Sequence, residues 1–339
     1  MAQRRLLLLE FLHTERFSQY RSKTYPFIAA GARQLGVEVR WMCAAHDPSL
    51  NPNNKFWVVL PGATARTLCR TMEAFAPTHV ISNQRLDATL QAQVDAALAE
   101  TAATVSVYDD PMAPPAAATM AAENVAETLT FDTLGRLAAW LGVDRSEGLD
   151  PRQRLEDAVA PDYGCEILDD RIASFEPMIE LVAGPECVYA AAIEHNPAFH
   201  NVDLTMATTR VGCSFCGALP DKRYGYTTPA VELALRQVRR AHETAPPQRR
   251  AGGFLVSSGV VFAQLGRFLE GVLAEGTPPS AFHLSCRIDE FSLKIDMLDA
   301  LLPRLAAADH RIFIGNMGVE NFSPAENERF NKGPVIERF

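Results

Sequence analysis

The chain has 339 residues, of which 47% are hydrophobic and 22% are charged, and its net charge is −9. This length allows two domains with separate cores, and the acidic charge argues against a general nucleic-acid or membrane-surface binder. The apolar run at residues 6–9 is too short to span a bilayer and is not followed by a signal-peptide cleavage site. We therefore expect a cytoplasmic protein whose seven cysteines favour a metal site over disulfides.

Apolar runs and helical stripes alternate through the N-terminal half of the sequence. The runs predict buried parallel strands, and the stripes predict helices between them. This alternation predicts an open, doubly wound parallel sheet that binds ligands at the carboxyl ends of its strands. No Gly-x-Gly-x-x-Gly sequence follows the first strand, so a dinucleotide site is not favoured. The predicted strands are 5–10, 37–42, 79–82 and 105–108, and the predicted helices are 25–35, 64–75, 87–100 and 132–141.

The C-terminal half repeats the alternation of strands and helices. With an apolar run at 202–206 as its first strand, it contains four βα units whose polar residues gather at the strand ends, as active sites on β/α barrels require. We predict a Rossmann-like domain over 1–145, a linker and connecting segment over 146–200, and a partial barrel over 201–339. The other predicted strands are 253–258, 281–286 and 311–315, and the predicted helices are 229–242, 262–275 and 293–307.

A cysteine-containing loop follows the first of these C-terminal strands. Cys213 and Cys216 are three residues apart, so both thiols can bind one metal ion or cluster from a single loop. Gly212 and Gly217 allow the backbone to fold closely around such a group. The same spacing is typical of a structural zinc knuckle, and it also occurs in pairs of reduced core thiols.

Residues 208–217, Thr-Thr-Arg-Val-Gly-Cys-Ser-Phe-Cys-Gly, resemble the cluster loop of radical S-adenosylmethionine (SAM) enzymes of the cobalamin-dependent type. The resemblance implies three thiolates that hold a [4Fe-4S] cluster, whose open iron binds SAM and yields a 5′-deoxyadenosyl radical. This loop has two thiols where three are expected: either Thr209 stands at the first cysteine position, or about four residues are missing between Cys213 and Cys216. A third ligand would have to come from a cysteine elsewhere in the chain: Cys286, Cys187 or Cys165.

Two further segments extend the resemblance into the rest of the C-terminal half. Residues 318–323 together with 331–333 resemble the family's Gly-x-Glu…Asn-Lys-Gly segment, which implies that Glu320 and Ser323 contact SAM. Glu320 equally suits the start of a helix, where a carboxylate interacts favourably with the helix dipole. Three residues match the family's Ser-Gly turn against the SAM amino group: Ser257, Ser258 and Gly259.

The position of the N-terminal sheet ahead of this loop resembles the domain order of cobalamin-binding radical SAM proteins. His13 lies in the loop that would carry the cobalt-ligating histidine, but the family's Asp-x-His-x-x-Gly pattern is not present. His13 is therefore either a cobalt contact or a solvated loop histidine.

The resemblance as a whole implies a cobalamin-type radical SAM protein with [4Fe-4S], SAM and cobalamin as cofactors. Its expected reaction is methyl transfer or related radical chemistry on a small molecule in secondary metabolism. A catalytically degenerate relative that acts as a binding or partner protein is one alternative, and a zinc-knuckle α/β protein is another. The family's barrel has about six βα units, so four units imply a C-terminal partner or a longer parent chain.

Overall fold

The computed structural model shows an α/β protein with parallel sheets. It divides into two compact units, Met1–Glu180 with Arg239–Gly253 and Leu181–Val238 with Phe254–Phe339. The structure describes residues 3–12, 23–45, 57–59, 66–83, 88–99, 103, 105–108, 128–129, 133–144, 153–164, 166–168, 172–175, 178–184, 191–203, 213, 227–247, 253–318 and 323–332.

The first unit is built on a six-stranded parallel sheet. Its strands are β1 (Arg5–Leu12), β2 (Glu38–Ala45), β4 (His79–Ser82), β5 (Val105–Tyr108), β6 (Thr128–Leu129) and β7 (Glu166–Leu168). An antiparallel pair is formed separately by β3 (Trp57–Val59) and β8 (Ile172–Phe175). The order of the large sheet is β6-β5-β4-β1-β2-β7, so β2 lies on one side of β1 and the later strands β4, β5 and β6 follow on the other side. Such a reversal is the switch point at which open α/β sheets bind ligands.

Helices cover both faces of this sheet. Alternate side chains of β1 point to opposite faces, and four consecutive leucines of this strand are all fully buried: Leu6, Leu7, Leu8 and Leu9. Leu7 and Leu9 pack with residues of α2 and α3 in one apolar cluster. On the other face, α1 packs against α4 and α5. The helices of this unit are α1 (Tyr25–Gln34), α2 (Arg66–Phe75), α3 (Ala88–Ala97), α4 (Leu134–Trp140) and α5 (Leu155–Ala158).

The second sheet has four strands in the order β12-β11-β10-β9. Its strands are β9 (Ile179–Glu180), β10 (Phe254–Val256), β11 (Ala281–Arg287) and β12 (Arg311–Gly318). The helices of the C-terminal half are α6 (Ala230–Thr244), α7 (Gly259–Ala263), α8 (Leu265–Ala274), α9 (Ile288–Ser292), α10 (Ile295–Ala307) and α11 (Pro324–Arg329), with short 3₁₀ turns at Ile193–His195 and Pro197–Phe199.

An aromatic cluster forms the core of the second unit. Phe282 on β11 stacks on Phe254 of β10 with ring centroids 5.5 Å apart, and it meets the edge of the Phe268 ring on α8 at 5.6 Å. Helices α8 and α10 pack together over this face. The next residue, His283, points to the opposite face, where it stacks on Phe313 with centroids 4.9 Å apart. Phe313 is 42% exposed, so this second face is covered only in part.

Some elements differ from the sequence predictions. The predicted helix 262–275 is two helices, α7 and α8, separated at Gln264. The predicted helix 293–307 begins at Ile295 and is preceded by the short helix α9. Val202 lies in a bend and is 51% exposed, and the rest of the strand predicted at 202–206 falls largely outside the described residues. Residues 146–200 contribute α5 and also β7, which pairs with β2.

The described helices do not include one that is both long and apolar enough to cross a membrane.

Candidate functional site

The predicted site residues are only partly described by the structure. Three of them lie outside the described residues: His13, Cys216 and Glu320. The two upstream cysteines, Cys165 and Cys187, lie outside them as well. The others belong to the second unit: Cys213, Ser257, Ser258, Gly259, Cys286 and Ser323.

The carboxyl ends of β10 and β11 bring two of the predicted groups to one edge of the second sheet. The strands are parallel, with Val256 opposite Leu284, so the Ser-Ser-Gly turn that follows β10 lies at the same edge as Cys286 near the end of β11. Strand β12 is also parallel to β11 and places Met317 opposite Cys286. This edge is the candidate functional site of the second unit.

Two serines predicted to contact SAM act as helix caps. The Ser258 hydroxyl accepts a hydrogen bond from the Val261 backbone N–H at 3.4 Å and donates one to the Ala183 carbonyl at 3.3 Å. The Ser323 hydroxyl accepts from the Glu326 N–H at 3.4 Å at the start of α11. Both side chains therefore satisfy backbone groups at helix ends, the ordinary role of serine at an N-cap. Ser257, which is half-buried, keeps its predicted position after β10.

Cys286 lies in surroundings that oppose ionisation of its thiol. Burial, together with the nearby carboxyl groups of Glu290 and Asp289, raises the pKa of Cys286 to about 12. Alternation along β11 places Cys286 on the same face as Phe282 and Leu284, both of which are fully buried. Because cysteine binds metals as the thiolate, a cluster at this position would itself have to supply the positive charge that deprotonates Cys286.

An arginine clamp that the sequence did not predict lies beside Cys286. The Arg287 guanidinium donates from Nε to Asp289 Oδ1 at 2.9 Å and from Nη2 to Oδ2 at 2.7 Å. Nη2 also donates to the Lys332 carbonyl at 2.7 Å. Burial would raise the pKa of Asp289, but the hydrogen bonds and charge of Arg287, together with backbone N–H groups, hold that pKa below its ordinary value.

The Asn-Lys pair of the predicted SAM segment is part of a buried polar network. The Asn331 amide donates to the Ala191 carbonyl at 3.0 Å, and Asn196 donates to Asn331 Oδ1 at 3.1 Å. The Lys332 ammonium donates to the carbonyl of Gly318, the last residue of β12, at 3.0 Å. Asn331 has a φ of +52°, a left-handed conformation that asparagine tolerates better than most residues. The network ties two segments of chain, residues 191–196 and 331–332, to the carboxyl edge of the sheet.

The described residues do not supply the ligands of a [4Fe-4S] cluster. Within the described ranges, no group of three or more His, Cys, Asp and Glu side chains could hold a metal ion. Cys213 is half-buried, and its predicted partner Cys216 lies outside those ranges. The predicted cluster ligands that the structure describes are Cys213 and Cys286, two of the three thiolates that a cluster needs.

A buried carboxyl group lies near the switch point of the first sheet. Glu10 is 1% exposed and pairs in register with Cys43 of β2. The Trp41 indole N–H donates to Glu10 Oε2 at 3.0 Å, and the Cys43 thiol lies 3.6 Å from the same oxygen. The sequence shows Glu10 only as the charged end of an apolar run, and nothing in that pattern identifies its partners.

Comparison with protein-family models, with curated proteins and with solved structures finds no match to this chain. The class that the structure defines is an α/β protein with parallel sheets, in which polar groups gather at the carboxyl edge of the second sheet.

Proposed function

We propose that this chain is a cobalamin-type radical SAM protein whose second unit binds SAM at the carboxyl edge of β10, β11 and β12. The observation that carries the proposal is the order of three segments along the chain: residues 208–217, the turn 257–259 after β10, and 331–333 after β12. The expected activity is methyl transfer or related radical chemistry on a small molecule, with the N-terminal sheet as the cobalamin-binding domain.

The chain's own residues would position a ligand at this edge rather than react with it. The hydroxyls of Ser258 and Ser323 act as helix caps, and Ser257 is the third serine that the resemblance places against SAM. The Arg287 clamp and the buried Asn331–Lys332 pair hold the surrounding segments in place. Fixed polar groups of this kind pre-organise a site, so that less order has to be created when a ligand binds.

A second candidate function is favoured by the cysteine loop itself. A [4Fe-4S] cluster is held by three thiolates, and residues 213–216 carry two. This observation supports a degenerate relative that binds SAM, a metal ion or a partner protein without radical chemistry. A zinc-knuckle α/β protein that uses Cys213 and Cys216 as two of its metal ligands is a third candidate.

Anaerobic reconstitution with iron and sulfide separates these functions. A radical SAM protein should take up about four irons per chain, show the electron paramagnetic resonance of a reduced [4Fe-4S] cluster, and release 5′-deoxyadenosine from SAM. The Cys213→Ala variant should lose the iron, whereas Cys69→Ala on α2 should keep it as a matched cysteine control. SAM binding by calorimetry without iron uptake supports the degenerate relative, and stoichiometric zinc supports the knuckle.

The cobalamin part of the proposal needs a separate measurement. Titration with cobalamin should shift its visible spectrum when the N-terminal sheet binds it, and His13→Ala should alter that shift only if His13 contacts cobalt. A spectrum that does not change on mixing removes cobalamin from the proposal and leaves the SAM site to be judged on its own.

A further inference from the structure

Two arginines of the first unit lie against one aromatic ring. The guanidinium carbon of Arg5, the first residue of β1, is 5.9 Å from the centroid of the Phe75 ring at the end of α2. The guanidinium carbon of Arg40 on β2 is 5.6 Å from the same centroid. At these distances the negative face of the ring attracts each cation. Phe75 is 6% exposed, so it holds both guanidinium groups beside a fixed part of the core.

The register of the sheet explains why the two arginines meet. Arg5 lies opposite Glu38, and Leu7 lies opposite Arg40. Leu7 packs with Phe75 in the apolar cluster under α2. Because residues two apart on a strand share a face, Arg5 and Arg40 both extend toward α2. Arg40 is exposed and Arg5 is half-buried, so their charges lie together at the surface near the amino end of the sheet.

Neither guanidinium has a counter-ion among the residues that the structure describes. Within those ranges, no carboxylate lies at ion-pair distance from Arg5 or Arg40, and no acceptor takes a hydrogen bond from the buried Nε of Arg5. Glu38 is the acidic residue opposite Arg5, but its carboxylate accepts from the Gln3 amide at 3.5 Å. Six other arginines, by contrast, each pair with a carboxylate: Arg33, Arg154, Arg240, Arg287, Arg304 and Arg329. Two like charges beside one ring repel each other, so a bound anion would stabilise this arrangement.

We propose that Arg5 and Arg40 form a binding site for a phosphate group, either free or carried by a small phosphate ester. The planar guanidinium presents paired N–H donors that match phosphate oxygens. Two guanidinium groups balance a dianionic phosphate, whereas a carboxylate would neutralise only one of them. The site is separate from the function proposed above, because open α/β sheets bind their ligands at the carboxyl ends of the strands and these arginines lie toward the amino ends.

Calorimetric titration of the full chain with inorganic phosphate tests the site. We expect saturable binding of one phosphate per chain in a low-salt buffer. Arg40→Gln should weaken this binding at least about tenfold, because it removes one charge-assisted pair, and Arg5→Gln should do the same. Arg40 is exposed, so its substitution stays informative even if Arg5→Gln does not fold. Arg70→Gln, at an exposed arginine of α2, removes the same charge and should leave phosphate binding within about twofold of the original.

Replacing Glu38 with glutamine gives an effect of the opposite sign. Removal of this exposed carboxylate from the face that carries both arginines should tighten phosphate binding about two- to fivefold. Titration with glycerol 3-phosphate identifies the source of the group, since tighter binding than that of inorganic phosphate indicates an ester. The proposal is overturned if the chain shows no saturable phosphate binding, if Arg40→Gln binds phosphate as Arg70→Gln does, or if Glu38→Gln binds it more weakly. The arginines would then serve only the negative end of the α2 dipole.

Discussion

Replacing Gln237 with leucine tests the hydrogen bonds that close one edge of the second sheet. Gln237 is 1% exposed, and its amide makes three hydrogen bonds, two to Val182 and one to the Leu233 carbonyl at 3.0 Å. Leucine has a similar volume, so the variant removes the hydrogen bonds without opening a large cavity. Val182 would then have a buried N–H and a buried C=O without these partners.

The magnitude follows from the cost of those two backbone groups. Each buried group left without a partner costs about 1–3 kcal/mol, and the added apolar surface of leucine offsets part of the sum. We expect Gln237→Leu to lower the free energy of unfolding by about 2–4 kcal/mol. The Leu233 carbonyl adds little to this figure, because it belongs to the same helix and retains its place in the helical hydrogen-bond ladder.

Urea unfolding followed by circular dichroism is the appropriate assay. Because the chain has two compact units, the comparison should use the transition that shifts in the variant rather than one global free energy. Gln264→Leu, at an exposed glutamine between α7 and α8, serves as the control. If Gln237→Leu changes stability by no more than about 0.5 kcal/mol relative to that control, the Gln237 hydrogen bonds do not stabilise this edge.

Three further substitutions or treatments give independent measurements. The Cys286 thiol of the folded protein should react with iodoacetamide about a thousandfold more slowly than in urea, because its pKa is about 12 against an ordinary 9.0; equal rates would show that the thiol is not held neutral. Asp289→Asn should cost about 1–2 kcal/mol at neutral pH, since it breaks the charged pair with Arg287. The pKa of Asp289 is lowered in the folded protein, so the stabilisation that its carboxylate provides is present above the unfolded-state pKa and is lost as pH falls through the folded-state pKa. If the free-energy cost of Asp289→Asn, measured by urea unfolding, does not shrink as the pH is lowered, this reasoning is wrong. Glu10→Leu should destabilise the first unit by about 1–3 kcal/mol and change Trp41 fluorescence, whereas Glu10→Gln keeps an acceptor for the indole N–H and should show a smaller effect.

Short apolar runs with clear boundaries were the most predictable parts of the fold. The strands predicted at 79–82 and 105–108 are confirmed as β4 and β5 with the same limits. The helix predicted at 262–275 was wrong as a single element, because Ser258 caps a separate five-residue helix that ends at Ala263. Periodicity did not locate that break, since buried Phe262 and Leu265 lie on either side of it within one apolar stretch.

The site was harder to predict, because local patterns do not encode long-range partners. Gln237 and Val182 are 55 residues apart, and Asn196 and Asn331 are 135 residues apart, yet each pair is directly hydrogen-bonded. The opposite difficulty applies to Ser258, whose place before a Gly and an apolar helix suits both a ligand-binding turn and an N-cap. The structure shows the cap, which only the position of the Val261 N–H could establish.

The charges at the carboxyl edge bear on the choice between the two candidate functions. The cationic side chains described there are engaged by the protein itself: Arg287 pairs with Asp289, and the Lys332 ammonium donates to a strand-end carbonyl. The thiol of Cys286, in contrast, has two carboxyl groups as its charged neighbours, and burial raises the pKa of one of them, Glu290. Such surroundings oppose an additional thiolate and favour a ligand that carries positive charge. SAM carries a sulfonium and an ammonium group, and the irons of a cluster are cationic as well, so the carboxyl groups beside Cys286 are compatible with both candidate functions.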